Sequence, residues 1–259
     1  MIGRIRVIAF NTFREAVRDR VLYNLIVFAI LMVCGSLLLG RISLRIERLV
    51  LVNLGLTAIA LFGIVIAIFL GIGLVSKEIE RRTLYTVLAA RPVRRWEFIV
   101  GKQLGLIATL VVNAGFMSAG FFGALLYLQH GFEAADGFLL VALYFIVLEF
   151  VIVTSLALMF STFTSPLLST IFTFSLFVIG TFAEDLRAFG ALAGGSARVL
   201  TAGLAYLLPN FAVFNVVSEV AHSVPVPGRL ILFNSLYALL YATTVTSAAV
   251  LIFDRRNLK

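Results

Sequence analysis

Six apolar runs, at residues 21–40, 49–75, 104–128, 138–160, 167–183 and 229–253, constrain this chain more than any other feature. A helix rises about 1.5 Å per residue, so about twenty apolar residues cover the roughly 30 Å of bilayer hydrocarbon. Of the residues, 61% are hydrophobic and 13% charged, where a soluble domain carries about a quarter charged residues. The reading is an all-α polytopic membrane protein with six transmembrane helices, residues 1–259 forming a single transmembrane domain. The net charge of +8 does not point to nucleic acid, because the basic residues cluster beside the ends of the apolar runs. Cys34 is the single cysteine, which excludes a disulfide within one chain. Val33 before it is too large for a lipoprotein signal, so Cys34 is expected to be a small apolar core residue. The first run is full length and no small-residue cleavage site follows it, against a cleaved signal.

Five distinctive segments lie between or beside the runs. In 1–20, Ile5, Ile8, Ala9, Thr12, Phe13, Ala16 and Val17 recur at helical spacing, with Arg6, Asn11, Arg14 and Arg18 pointing away. That is the pattern of an interfacial elbow helix leading into the first span. Gly55, Gly63, Gly71 and Gly73 in the second run are small positions that let a neighbouring helix approach. A tight turn is expected at 161–166. Residues 184–228, rich in Gly and Ala and holding Pro209, Pro225 and Pro227, are too broken for a span and too apolar for a free loop. Two short helices or a re-entrant hairpin at the outer surface fit them. Segments 1–20, 76–102 and 254–259 carry five, seven and three of the 21 Lys and Arg residues. The opposite side holds Arg41, Arg45, Arg48, Arg187, Arg198 and Arg229. The charge bias places both termini and segment 76–102 in the cytoplasm, in a multi-pass cell (inner) membrane protein.

Segment 76–102 is the longest charged stretch in the chain. Ser76 can cap a helix whose first turn carries Glu78 and Glu80. Ile79, Thr83, Leu84, Val87 and Leu88 would then form one apolar face, and the helix should end near Ala90, because Arg91 precedes Pro92. Pro92 suits the first turn of a further helix, which carries Arg94, Arg95, Trp96 and Lys102 as interface anchors at the foot of span three. By pattern alone, the ridge Leu84, Val87 and Leu88 either docks on a soluble partner or dips into the lipid interface.

Here the sequence resembles a family. Glu78-x-Glu80-Arg81-Arg82-Thr83-Leu84, Leu88-Ala89, Arg91-Pro92-Val93-x-Arg95 and Gly101-Lys102 resemble the span-two to span-three region of ABC-2-type permeases, the membrane subunits of type V ABC exporters. The likeness extends to the leader, the six-span plan, Leu208-Pro209-Asn210 and the Arg255-Arg256-Asn257-Leu258 tail, and is nearest to stand-alone six-span permeases. It implies that 76–90 is a coupling helix docking in a cleft of an ATPase subunit. Leu84, Val87 and Leu88 would enter the cleft, Glu78, Glu80, Arg81 and Arg82 would rim it, and Thr83 belongs to the same coupling set. It also implies a second permease copy, in a homodimer with the translocation path at its interface, and ATP and Mg bound by the partner ATPase.

The chain carries no catalytic constellation of its own. A P-loop needs a glycine five residues before its Gly-Lys and a Ser or Thr after it; around Gly101-Lys102 those places hold Trp96 and Gln103. His130 and His222 fall in different outer loops, with no metal-ligand or nucleophile motif, so no cofactor, metal or nucleic acid is expected on this chain. Glu149 stands mid-span, where a carboxylate is costly. It is either a pathway residue or an interhelical hydrogen-bond partner of Asn113 or Asn53. An intramembrane enzyme centred on Glu149, and a non-transporting membrane anchor for a cytoplasmic complex, are the alternatives to the permease reading.

Overall fold

A computed structural model of the chain describes residues 2–18, 27–28, 30–31, 34–35, 47–80, 94–129, 131, 136–193, 201, 203 and 208–255. Among them there is no strand. The helices are α1 (Ile2–Arg18), α2 (Glu47–Glu80), α3 (Arg95–Gln129), α4 (Gly137–Ser161), α5 (Pro166–Thr181), α6 (Ala183–Ala193), α7 (Val217–Ala221) and α8 (Gly228–Arg255), with a 3-10 turn at Ala212–Phe214. Four of them are long and apolar enough to cross a membrane. A fifth span results if α5 and α6, bent by 56°, count as one. The expected first span, 21–40, lies almost entirely outside the described residues. Phe28 within it is buried and meets Phe62 edge-on, with ring centroids 6.3 Å apart. Cys34 is exposed, not in a core; an apolar thiol suits lipid as well as a protein interior.

Glycines set how closely the helices pack. Gly55, Gly63 and Gly71 recur every eight residues along α2, and a Cβ at these positions would run into Phe121, Phe150 and Ala157 respectively. The first partner belongs to α3 and the other two to α4, so α2 packs against both. Gly73, the fourth glycine of that run, has nothing within 4 Å. At 34 and 35 residues, α2 and α3 reach roughly 50 Å and overrun the hydrocarbon. α2 also runs unbroken through Ser76, which therefore does not cap a new helix. Lys77 to Glu80 are adequate helix formers and nothing after Gly73 interrupts them, so the existing helix continues.

The N-terminal helix uses its apolar stripe on the bundle. Thr12 and Ala16 are buried, against the first turns of α3, where Gly101 and Gly105 are one turn apart. A Cβ on Gly101 would lie 2.7 Å from Ile8 Cγ2, and one on Gly105 would lie 2.6 Å from Thr12 Cβ. This spacing of small residues lets two backbones nearly touch. Val17, expected on the stripe, is exposed. So are Val7 and Phe10, on the face that also carries Arg6 and Arg14.

At the other end the expected turn at 161–166 is present, and Pro166 takes the first helical position of α5. Residues 208–216 fold back onto the end of α5: Phe211 N–H donates to Gly180 O at 3.0 Å, and Phe214 meets Phe145. α7 ends in a Schellman motif, with Ser223 N–H on Val220 O and Val224 N–H on Glu219 O. The left-handed position, usually glycine, is Ser223, at φ 59°. Its hydroxyl accepts from Arg48 Nη1 at 3.2 Å, the same nitrogen that donates to Ala221 O at 3.3 Å. Arg48 Nη2 pairs with Asp136 Oδ1 at 3.0 Å. One guanidinium thus clasps the start of α2, the start of α4 and the end of α7.

Two outcomes follow in thermal-unfolding measurements on the purified chain. Gly105→Leu lowers stability by about 1–3 kcal/mol through overpacking, whereas Gly73→Leu, which meets nothing, stays within about 0.5 kcal/mol. Arg48→Met and Asp136→Asn show a coupling of about 1–2 kcal/mol in a double-mutant cycle.

Candidate functional site

The start of α3 gathers the basic residues expected as anchors. Arg94 precedes the helix and is exposed; its N–H donates to Glu97 Oε2 at 3.1 Å, half of a capping box. Glu97 is 2% exposed, and Arg4 Nη1 of α1 approaches it to 3.9 Å. Arg95 is half-buried and donates through Nη1 to Phe253 O at 3.1 Å and Asp254 O at 2.7 Å. That places a cation on the terminal carbonyls of α8, the favourable end of the helix dipole. Lys102 is 2% exposed, with Nζ 5.6 Å from the centroid of the Phe98 ring. Phe98 in turn stacks on Phe253 at 6.0 Å. Lys102 is therefore packed inside this foot, where an anchor at the headgroups would be open. Trp96 is half-buried beside α8. The foot joins α1, α3 and α8 into one block.

Of the residues expected to contact an ATPase, Glu78 and Glu80 fall on the last turn of α2. Arg81, Arg82, Thr83, Leu84, Val87 and Leu88 lie outside the described residues, as does Pro92. Among the described residues, no three His, Cys, Asp or Glu side chains come together as metal ligands. His222 Nδ1 lies 2.8 Å from Ser218 O within its own turn.

Deeper in the bundle, polar side chains connect three helices. Gln103 of α3 donates through Nε2 to Ser155 Oγ of α4, and Thr246 Oγ1 of α8 donates to Gln103 Oε1 at 2.6 Å. Further from the foot, Tyr144 of α4 and Ser235 of α8 share a hydrogen bond 2.7 Å long. Tyr144 and Ser235 are 91 positions apart, as are Ser155 and Thr246. The two pairs stand at different heights, so α4 and α8 run parallel and in step, while α3 runs opposite.

That register explains why one expected bond is absent. Asn113 lies ten residues further along α3 from Gln103, so on the antiparallel α4 it comes level with Phe145. Glu149 is four residues away, about 6 Å of rise. Asn113 is 2% exposed and neither of its amide atoms is bonded, so it makes no hydrogen bond to Glu149. Asn53 instead donates to Leu49 O of its own helix at 2.8 Å. Glu149 itself is half-buried in α4. The interhelical bonds go to Gln103, Thr246 and Ser155. Gln103 was overlooked as a bonding residue because it sits in the charged foot pattern, where a polar residue is unremarkable. The available signal is the position of this amide eight residues into α3, just past the charged residues Arg95, Glu97 and Lys102.

The comparisons bear on this arrangement. A search of curated proteins finds no match. The family described as ABC-2 family transporter protein matches residues 6–258, which takes in most of α1, the foot, the long helices and the segment between α6 and α8. That family comprises permease components of ABC transporters, membrane transport parts that are not themselves catalysts. The several apolar helices make this a multi-pass membrane protein, and the chain belongs to the ABC-2 transporter family.

Proposed function

We propose that the chain is the permease subunit of an ATP-driven exporter. It works as a homodimer, with separate ATPase subunits binding ATP and Mg and engaging the segment at 76–90. The termini and this segment face the cytoplasm of a cell whose inner membrane holds the protein. The observation that supports the coupling role most is the shape of α2 and α3. Both overrun the bilayer, and the charged segment joins their ends on one side.

A displacement delivered at 81–93 would act on two stiff rods. α2 would carry it inward past its glycine contacts with Phe121, Phe150 and Ala157. α3 would carry it through the foot, where Arg95 and Glu97 tie it to α8 and α1. In this reading Leu84, Val87 and Leu88 supply the apolar contact with the ATPase cleft. Glu78, Glu80, Arg81, Arg82 and Thr83 surround that contact, and Arg94, Arg95 and Trp96 hold the foot at the interface.

Affinity-tagged chain from native membranes is expected to bring an ABC ATPase with it in mild detergent. In the reconstituted complex, Leu88→Asp lowers permease-dependent ATPase activity at least about ten-fold while the chain remains folded. Recovery without any ATPase, or unchanged coupling in Leu88→Asp, removes the proposal. Glu149→Leu separates two roles for that carboxylate. If the carboxylate has no pathway role, the variant keeps transport and gives equal or higher thermal stability, since a mid-span carboxylate costs roughly 2.5–3.5 kcal/mol on insertion scales. A pathway residue gives a folded complex with transport lost.

A further inference from the structure

We propose that a groove between α3 and α8 holds an acyl chain of an anionic phospholipid from the leaflet that carries α1, with the headgroup beside Arg94 and Arg95. The groove encloses about 590 Å³, within the usual range of ligand sites. It runs from Trp96 to Ile107 on α3 and from Leu251 to Leu239 on α8. Eleven residues of helix rise about 16 Å, close to the hydrocarbon depth of one leaflet and well short of the full bilayer.

Its chemistry is that of a lipid slot. Thr243 and Ser247 in its wall donate to Leu239 O and Thr243 O, and Thr246 is engaged with Gln103. The hydroxyl protons are therefore directed into the protein, and the surface offered is apolar. Leu104, Leu239 and Leu251 flank it and are 48%, 62% and 63% exposed, so the groove opens sideways into hydrocarbon. One end is marked by Trp96, the residue type that settles at the headgroup level. Arg94 is exposed beside it and Arg95 lies on the α8 carbonyls. Among the described residues there, Asp254 lies 4.0 Å from Arg95 Nε and the buried Glu97 accepts from Arg94 N–H, against the cations Arg94, Arg95 and Arg255 and Arg4 beside Glu97. The balance there is basic, which selects an anionic over a zwitterionic headgroup.

The test uses the purified full chain in phosphatidylcholine nanodiscs. These contain a trace of phosphatidylglycerol bearing a photoactivatable acyl chain or, in a second preparation, phosphatidylcholine bearing the same label. Peptides spanning 96–107 and 239–251 are expected to carry at least about five-fold more label than those of α5, with phosphatidylglycerol favoured by about five-fold. Thr243→Trp and Ser247→Trp, at exposed wall positions, each fill the groove and remove the excess while elution of the chain is unchanged. Even labelling of all helices, equal labelling by the two lipids, or excess label surviving both tryptophans overturns the proposal. So does absence of label with either lipid, the result if a second copy of the chain covers the groove.

Discussion

Helices inside hydrocarbon gain little by hiding apolar surface from one another, because lipid tails are equally apolar. What holds them is close backbone approach and the few polar bonds that lipid cannot replace. This bundle relies on both. Gly55, Gly63 and Gly71 receive side chains of α3 and α4, and Gly101 and Gly105 receive α1. Gln103, Ser155 and Thr246 join α3, α4 and α8 at one depth. Phe121 and Phe150 become fully buried only because the glycines opposite them leave room.

From this close packing follows a division of the molecule along its length. At one end α1, α3 and α8 form a block held by Glu97, Arg95 and the Phe98–Phe253 stack. At the other, Arg48 draws α2, α4 and α7 together. Between them the helices are long and unbroken. In the proposed cycle, nucleotide-driven movement enters beside the first block and must be expressed as relative motion of whole helices. Sub-ångström adjustments are poorly accommodated where a glycine already touches an aromatic ring.

The long helices were legible because length and apolarity decide them, so α3, α4 and α8 start and end within a few residues of the apolar runs or extend them into the foot. The three working glycines of α2 were legible as small positions, though their partners were not. The helix through Ser76 was misread because a serine followed by acids looks like a cap. Position relative to a helix already under way matters more than the local motif. The Arg48–Asp136 clasp joins residues far apart in sequence, and no local pattern displays such a pair. The Gln103 bridge was hidden similarly, since its partners lie on two other helices. Of the expected coupling face, the described residues reach only as far as Glu80.

The parallel, in-step arrangement of α4 and α8 has a consequence for biogenesis. When α3 and α4 have entered the membrane, Gln103 can already meet Ser155, but its carbonyl must wait for Thr246. That hydroxyl arrives only after the chain has made α5, the bend at Phe182 and the segment that leads to α8. Arg95 likewise has no carbonyls to hold until Phe253 and Asp254 emerge. Assembly of the bundle therefore closes from its C-terminal end. A nascent chain truncated before α8 would leave the Gln103 carbonyl without Thr246 and Arg95 without the α8 carbonyls.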